Sequence, residues 1–500
     1  MLFHAIGQIF TVQNILMMNI GMAAGVIIGA MPGLNVTFAV TVLLTMTFGM
    51  DVLPGMYLLL GAYCGGMYGG SITAILLNTP GTPNSICTAW DGYPLAKRGH
   101  AGDALKAALV GSTMGGLISA FALLFFAPQL AMIVYKIASP EYFVLCIFGM
   151  VATVTTARKN MLKGLLSAVL GLLLSCVGLD PLYGIRRLTF GRPSLAAGFG
   201  AVTCMLGLYA LAQVLFEANA ARKAGDTAPP TFKYTKSTIR FRDILKHWRV
   251  IIKSSIIGIV VGATPGTGGA ISSMFSYNEA QRTSKTPEEF GNGSIEGIVA
   301  SETGNNAVTG ATLIPMLTLG IPGDSCMAVL LGALTMQGIV PGAALFTGEN
   351  VWVYALMIGL IIINLFMLLQ GSLFIRAFAN ISKLRENIIL PCIVILCTVG
   401  GFAIGNNTYQ VFVLLAFGLL GYVMKYFNIP IAPMTIAMVL SSLFETNLRR
   451  SMIVSYGDPF VFFKRPICVL LFVITFLFLF WPKIAAMFKR MRRPGKEESL

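Results

Sequence analysis

Pro-Gly pairs stand inside apolar stretches of the sequence, and four of them are the positions where the backbone itself could bind a ligand. They are Pro32-Gly33, Pro80-Gly81, Pro265-Gly266 and Pro322-Gly323. Proline removes a backbone donor and glycine adopts positive φ without strain, so each pair predicts that a helix ends there. Helices that begin at such breaks direct N–H groups and a partial positive charge outward. An anion is the ligand that fits them.

Amide and hydroxyl side chains surround these pairs and could donate hydrogen bonds to the oxygens of a carboxylate, while loop carbonyls could coordinate Na⁺. The alternative is that these residues permit close helix packing and bond back to their own helices. We predict a substrate-binding set of breaks and neighbouring side chains. Its members are Pro32, Gly33, Asn35, Ser71, Asn78, Thr79, Pro80, Gly81, Asn84, Ser85, Pro265, Gly266, Thr267, Gly268, Pro322, Gly323 and Ser325.

One acid and two amides interrupt the apolar run IVASETGNNAVTGATLIP at 298–315, namely Glu302, Asn305 and Asn306. An ionisable group inside a membrane is energetically expensive and is usually functional. We therefore predict that these three residues, together with Asp324, couple transport to a cation. The alternative is that the run forms a loop or helix end that faces water outside the bilayer.

The composition predicts the elements that must position these residues. Of 500 residues, 56% are hydrophobic and only 11% are charged, whereas soluble domains contain about 25% charged residues. One membrane crossing takes about 20 apolar residues. We expect an all-α integral membrane protein with about 10–14 transmembrane or re-entrant helical segments.

Basic residues are concentrated in two places, which gives the net charge of +15 a membrane explanation rather than a nucleic-acid one. Nine Lys or Arg residues lie between Arg222 and Lys253, and six more lie between Lys483 and Lys496. Basic clusters that flank apolar segments are typical of cytoplasmic loops. We predict a first membrane half at 1–220, a basic cytoplasmic linker at 221–250, a second membrane half at 251–488 and a basic cytoplasmic tail at 489–500.

The two halves contain related sequences. GVIIGAMPGLN at 25–35 matches GIVVGATPGTG at 258–268, and NTPGTPNS at 78–85 is followed in the second half by GIPGDS at 320–325. The order and spacing of the breaks therefore predict a duplicated unit, with repeat cores at about 20–134 and 254–345. Transporter precedent favours an inverted arrangement over a parallel one. Thr267-Gly268 stands where the first half has Leu34-Asn35, so the copies need not contact a ligand alike.

The sequence lacks the usual motifs of nucleotide-binding, catalytic and metal-binding proteins. The sequence contains no Gly-x4-Gly-Lys-Ser/Thr pattern, and its three histidines form no catalytic or metal-binding motif. The nine cysteines are scattered singly, which favours a packing role. The N-terminus lacks the basic start and small-residue cleavage site of a secretory signal, and we expect it to be mature chain. We predict no enzymatic activity, no metal and no cofactor beyond a coupling ion.

The sequence resembles the large membrane subunit of the tripartite tricarboxylate transporters. The matching stretches run nearly from end to end: GVIIGAMPGLN at 25–35, GGSITAILLNTPGTPNSICTAWDGYPLAKRGHAGDAL at 69–105, GLDPLYGIRRLTFG at 178–191, GATPGTGGAISSMFSYNEAQRTSK at 262–285, and the segment 290–334. The resemblance implies a secondary transporter in the bacterial inner membrane that works with a small transmembrane subunit. It also implies that a periplasmic solute-binding protein delivers the carboxylate.

The expected function is therefore cation-coupled uptake, with Na⁺ or H⁺, of a tricarboxylate such as citrate or of a related carboxylate. The alternative is an anion or cation channel, because Pro-Gly loops also line pores. A channel would lack stoichiometric coupling between substrate and ion.

Overall fold

The computed structural model describes residues 2–31, 33–156, 160–224, 237–347, 350–381 and 386–491. Pro32, one of the predicted site residues, lies outside the described residues. So do 225–236 of the predicted linker and 492–500 of the predicted tail.

Helices dominate both halves of the chain. In the first half they are α1 (Leu2–Ile9), α2 (Val12–Gly29), α3 (Val36–Leu44), α4 (Val52–Leu77), α5 (Ile86–Leu95), α6 (Ala101–Val134), α7 (Ser139–Thr156), α8 (Met161–Ser175), α9 (Ala201–Met205) and α10 (Ala212–Ala224). A π-helical segment, Leu206–Leu211, joins α9 to α10, so that one helical rod runs from 201 to 224. The two short strands are β1 (Gly178–Leu179) and β2 (Arg186–Arg187), which pair antiparallel.

The second half begins with α11 (Phe241–Leu245). It continues with α12 (Trp248–Ala263), α13 (Gly268–Thr283), α14 (Ile295–Ala311), α15 (Leu313–Leu319), α16 (Ser325–Met336), α17 (Val351–Ile381), α18 (Glu386–Gly405), α19 (Thr408–Tyr426), α20 (Ala432–Val454), α21 (Val461–Lys464) and α22 (Pro466–Met491).

The apolar helices confirm the predicted fold class. Within the described residues, six helices are long and apolar enough to cross a membrane, and six shorter apolar helices accompany them. Many large apolar side chains on the outer helices are exposed, as expected where a helix faces lipid rather than water. The chain is an all-α integral membrane protein.

All four predicted breaks are present. The preceding helices end at Gly29, Leu77, Ala263 and Leu319. At the first break of each half the glycine has positive φ, 86° at Gly33 and 82° at Gly266. At the second breaks the positive φ occurs before the proline instead, at Asn78 and at Gly320.

Glycines bring α2 and α4 into direct backbone contact. A Cβ atom added at Gly21, Gly25 or Gly29 would lie 2.1, 2.4 or 2.6 Å from the carbonyl oxygens of Leu58, Ala62 and Gly66, in that order. Both residue numbers rise together, so the two helices run parallel. Such close approach is typical of small residues at membrane helix interfaces.

The second half repeats this contact between α12 and α14. A Cβ atom at Gly258 would lie 2.7 Å from the carbonyl oxygen of Gly304, and one at Gly262 would lie 3.1 Å from that of Val308. These helices are also parallel to each other. Gly25 and Gly258 are equivalent in the sequence repeat, as are Gly29 and Gly262, so equivalent glycines make equivalent contacts.

The two pairs run in opposite directions where they meet. The Tyr63 hydroxyl on α4 lies 3.4 Å from that of Thr312, the residue directly after α14. One turn later on α4, the Met67 carbonyl accepts a 3.2 Å bond from Asn305, which comes earlier on α14. Therefore α4 and α14 are antiparallel.

Two carboxylates of the first half hold the end of the linker and a loop of the second half. Asp103, at the start of α6, accepts hydrogen bonds from the N–H groups of Thr238 and Ile239 at 2.6 and 3.1 Å. Asp91 on α5 accepts three backbone N–H bonds of 2.8–2.9 Å from Gly291, Gly293 and Ser294, just before α14. Ile239 and Asp243 at the end of the linker also line a cavity with Ile295 and Glu296 at the start of α14. Both α6 and α14 therefore begin beside the end of the linker, and we call this side of the molecule the linker face.

We predict that Gly25→Ala destabilises the protein. The added methyl group would meet the backbone of Ala62, and overpacking of this kind costs about 1–3 kcal/mol. The thermal unfolding midpoint of the purified protein should fall. Gly7→Ala is the matched control, because Gly7 lies on α1 with no atom within 4 Å of the added Cβ. Equal midpoints for the two variants would contradict this account of the packing.

Candidate functional site

The start of α13 faces polar side chains from both halves, and we call this group the Asn305 cluster. A Cβ atom added at Gly269 would lie 2.5 Å from Asn305 Oδ1, 2.9 Å from Asn84 Nδ2 and 2.8 Å from the methyl group of Met67. Only a glycine therefore fits here without displacing Asn305 or Asn84. The cluster joins the first break of the second half to the second break of the first half.

No side chain of the described residues caps the two helices that begin at this cluster. The hydroxyl of Thr267, which precedes α13, donates instead to the carbonyls of Val261 and Thr264. Ser85, which precedes α5, interacts with the hydroxyl of Thr82 at 3.2 Å. A 3₁₀ turn, Pro83–Ser85, runs directly into α5, and Thr82 before that turn provides no side-chain cap either. The uncapped N–H groups at the starts of both helical segments thus keep their capacity to bind an anion.

Oxygen acceptors on α14 lie beside these helix starts. Asn305 is fully buried, and its amide nitrogen donates to the Met67 carbonyl. Its Oδ1 atom, like that of the buried Asn306, has no hydrogen-bond partner among the described residues. Buried acceptors are normally satisfied. The Asn305 oxygen, which lies 2.5 Å from the position of a Cβ on Gly269, suits a cation that accompanies an anion at the start of α13.

Glu302 lies one turn before Asn305 on α14 and is fully buried. Its two carboxyl oxygens accept bonds from Thr88 on α5 at 2.5 Å and from Ser112 on α6 at 2.7 Å. Both donors belong to the first half of the chain. The position in the interior of a buried helix excludes the alternative of a loop or helix end exposed to water.

The neighbours of Glu302 determine what its carboxyl group can do. A hydroxyl donates to a carboxylate and can also accept from a protonated carboxyl group. By contrast, an arginine or lysine partner would favour the charged form alone. Partners of this kind therefore allow Glu302 to exchange a proton or a cation without losing its hydrogen bonds.

A second group, the Asp324 cluster, joins the remaining two breaks. Asp324 caps α16 by accepting the Met327 N–H at 2.8 Å, and its other oxygen accepts the Tyr63 hydroxyl at 3.0 Å. Asn35 caps α3, and Thr37 lies 3.2 Å from the sulfur of Cys326. Because side-chain oxygens already occupy both helix starts, this cluster is a poorer anion site than the Asn305 cluster.

The predicted site residues are therefore distributed over two clusters instead of one. Each cluster combines the first break of one half with the second break of the other half. The remaining predicted residues lie apart from both helix starts or bond locally. Thus Ser71 donates to the Tyr68 carbonyl, and Thr79 donates to that of Leu77, beside the exposed Asn78.

The glycines of the breaks have structural partners. Gly266 donates to the Gly323 carbonyl at 2.6 Å, which ties Pro265-Gly266 to Pro322-Gly323. In the first half, Gly81 follows Pro80 and donates to the Gly70 carbonyl at 3.2 Å.

The carbonyl of Gly33 accepts a 2.7 Å bond from the side chain of Gln213 on α10. Gln213 in turn contacts Glu217 and Lys425. These three polar residues did not stand out in the sequence. The same is true of Thr88, Ser112 and Tyr63, because an isolated hydroxyl in an apolar helix gives no signal of its partner.

We predict that Thr88→Val destabilises the protein more than Thr113→Val. Removal of the Thr88 hydroxyl leaves a buried carboxyl oxygen without its donor, which costs about 1–3 kcal/mol. Thr113 is also buried, but its hydroxyl bonds only the Leu109 carbonyl of its own helix. Thermal unfolding of both variants tests the difference, and equal losses of stability would show that the Thr88–Glu302 contact contributes nothing specific.

Comparison with known proteins agrees with the resemblance seen in the motifs. A protein of Agrobacterium vitis, described as an uncharacterized 52.8 kDa protein in the TAR-I ttuC′ 3′ region, is 34% identical over 93% of this chain and 92% of its own length. Another, from the TAR-II ttuC′ 3′ region of the same organism, is 36% identical over 42% of this chain and 87% of its own length. No solved structure matches. The profile of one transporter family matches residues 15–436, and this chain belongs to that family, the Tripartite tricarboxylate transporter TctA family.

Proposed function

We propose that this chain is the permease of a secondary active system that imports a tricarboxylate or related carboxylate across the bacterial inner membrane, coupled to Na⁺ or H⁺. A periplasmic solute-binding protein delivers the substrate, and a small transmembrane subunit completes the system. One observation carries the proposal. The uncapped start of α13 lies beside Asn84 and the unpartnered oxygen of Asn305, and Asn305 is one turn from the buried Glu302 on α14.

The two kinds of group have separate roles in this proposal. Backbone N–H groups at the starts of α5 and α13 bind a substrate carboxylate, with Asn84 orienting it. Glu302, Asn305 and Asn306 bind the coupling ion. Placing cation and anion next to each other reduces the energy of holding either one away from water.

Coupling is required by the charge of the substrate. Moving one negative charge inward against 100 mV costs about 2.3 kcal/mol. The import of a trivalent anion therefore costs roughly 7 kcal/mol before any concentration gradient is counted. Three monovalent cations imported with the substrate cancel this electrical cost, and a fourth provides a net driving force. A binding protein alone supplies capture at low concentration but no such energy.

An inverted repeat accounts for the helix directions. The parallel pair α2 and α4 and the parallel pair α12 and α14 meet with α4 and α14 antiparallel. A rotation axis in the membrane plane between α4 and α14 would exchange the two pairs. In such transporters, alternating access proceeds by movement of one part of the protein relative to another around the central site.

The proposal is tested by uptake into proteoliposomes that contain this chain and the small subunit. We expect saturable carboxylate accumulation that requires both the binding protein and an inward Na⁺ or H⁺ gradient. The channel alternative predicts instead downhill flux without stoichiometric coupling. Absence of gradient-driven accumulation would refute the proposed transport function.

Glu302→Gln should abolish or alter the dependence of uptake on the cation while the protein remains folded. The amide keeps the size of the side chain and loses both the charge and the titratable group. Glu296→Gln is the matched control, because Glu296 lies in the first turn of the same helix and accepts a bond from Ser284. An unchanged cation dependence in Glu302→Gln would remove this residue from the proposed ion site.

Gly269→Ala should weaken substrate binding, because the new methyl group occupies the space between Asn305 and Asn84. We expect the concentration for half-maximal uptake to rise about 10-fold, which corresponds to about 1.4 kcal/mol. Phe275→Ala serves as control, since Phe275 lies on the same helix with 45% of its surface exposed. Wild-type affinity in Gly269→Ala would move the substrate site away from the start of α13.

A further inference from the structure

The segment 178–192, which we call the hairpin, lies on the side of the molecule opposite the linker face. It precedes the helical rod 201–224. The start of the rod packs on α16, because a Cβ on Gly332 would lie 3.2 Å from Val202. In turn, α16 ends beside the start of α4, where Gln337 contacts the Met50 carbonyl. Since α4 is antiparallel to α14, which begins at the linker face, the starts of α4 and of the rod lie on the opposite side. A rod of this length spans about 36 Å at 1.5 Å per residue. If the linker is cytoplasmic, the hairpin is periplasmic.

Four charged side chains fix the hairpin to α20. Arg187 makes two bonds to the carboxylate of Glu445, at 2.6 and 3.0 Å. Arg449 donates to Asp180 at 2.7 Å and also pairs with Glu445 at 2.7 Å. Two-bond arginine–carboxylate contacts are geometrically specific. They hold the hairpin in one orientation.

The ionised form of Asp180 is favoured in this network. Partial desolvation by itself would raise the pKa of Asp180, but the Tyr183 N–H and two guanidinium groups outweigh it and leave the pKa below its usual value. The carboxylate therefore stays charged at neutral pH, and the attachment of the hairpin to α20 persists.

The outer surface of the hairpin is apolar. Tyr183, Ile185, Leu188 and Phe190 are 64%, 63%, 53% and 82% exposed. Leu188 and Phe190 also have positive φ, 51° and 46°, which is strained for a bulky residue. Exposed apolar groups on a strained and firmly held segment are typical of a binding surface.

Water, and not lipid hydrocarbon, is the environment that suits this segment. Two strands of two residues each leave most of the hairpin backbone without ladder partners, and hydrocarbon does not satisfy such groups. Arg186 and Arg192 are exposed beside the apolar residues. The hairpin therefore presents a mixed apolar and basic surface to the aqueous phase.

We propose that the hairpin is the docking surface for the solute-binding protein, and that the matching surface of that protein combines apolar with acidic residues. This inference rests on the proposed function, because it is there that a delivering protein is required. The charge of Arg186 and Arg192 determines the sign expected of the partner, and the four apolar side chains supply the contact area.

The hairpin is connected through α20 to the second break of the second half. The helix that holds the hairpin, α20, also packs beside the second break of the second half, where Leu443 lies 3.6 Å from the position of a Cβ on Gly320. The Thr435 hydroxyl on the same helix contacts that of Tyr209 at 2.7 Å. A bound partner would thus be joined by one helix to the backbone next to Asp324.

The first test determines on which side of the membrane the hairpin lies and whether the binding protein covers it. Ser194 is exposed immediately after the hairpin, and Ser194→Cys keeps all four apolar side chains. It is made in a Cys392→Ser background, because Cys392 is the exposed cysteine of the described chain. In spheroplasts, a membrane-impermeant maleimide should label Ser194→Cys, and the purified solute-binding protein of the same tripartite system should slow this labelling.

The control for this test is Lys285→Cys in the same background, since Lys285 is exposed on the linker face. It should be labelled only after the membrane is permeabilised. Failure to label Ser194→Cys from outside would place the hairpin in lipid or on the other side. Labelling that the binding protein leaves unchanged would show that it docks elsewhere. Either result overturns the inference.

The second test measures affinity for the same binding protein with the permease in lipid nanodiscs. Ile185→Ser and Arg186→Glu should each weaken binding about 10-fold or more, as expected for residues central to an interface. Leu162→Ser is the control, because Leu162 is an apolar residue of α8 that is 83% exposed. Unchanged affinity in both hairpin variants, or no binding by the unmodified permease, would overturn the inference.

These measurements require no transport, so they separate the two proposals. Protection and affinity loss without gradient-driven uptake would refute the proposed transport and leave the docking surface intact. Normal uptake with unaltered binding by both hairpin variants would refute only the docking surface.

Discussion

Backbone groups released where a helix ends inside an apolar chain must find polar partners, and the arrangement of this protein depends on that constraint. All four breaks use other backbone or side-chain groups: Gly266 donates to Gly323 of another break, Gly81 donates to Gly70, and Gly33 accepts from Gln213. Gly323 lies in the other break of the second half, Gly70 lies on α4 and Gln213 lies on α10, so helix packing holds each partner in place. Glycines line the closest contacts of that packing, between α2 and α4 and between α12 and α14. Breaks and glycine contacts are therefore one structural solution, and loss of either would expose backbone to lipid.

The same constraint distinguishes the two clusters. At the Asp324 cluster, the side chains of Asp324 and Asn35 satisfy the starts of α16 and α3. At the Asn305 cluster, the starts of α13 and α5 have no side-chain cap among the described residues. Two related scaffolds thus differ at the point where a ligand would bind. The helix starts of the Asp324 cluster are capped without a ligand. Within the described residues, the Asn305 cluster has an uncapped helix start and a side-chain acceptor without a partner.

Local sequence patterns were sufficient to predict the helical class, the four breaks and the related segments, because each depends on residue type within a short window. Patterns of this kind did not predict how the breaks pair. Asn84 meets Gly269, and Thr37 meets Cys326, across more than a hundred residues of sequence. Such contacts follow from how helices pack over long distances, and glycine-rich helices allow many registers. For the same reason Thr88 and Ser112, the partners of Glu302, were not predicted.

The partners of Glu302 also explain why this acid suits a transport cycle better than a permanent ion pair would. A buried ion pair loses several kcal/mol when one partner is removed, since an uncompensated charge remains. Thr88 and Ser112 carry no charge, and they come from α5 and α6 of the first half, whereas Glu302 belongs to the second. A cation or proton bound at Glu302, as proposed, would neutralise a charge at the contact between the halves, and its release would restore that charge. In the proposed function, the energy of this contact would depend on whether the ion is bound, and that dependence would link ion binding to movement between the halves.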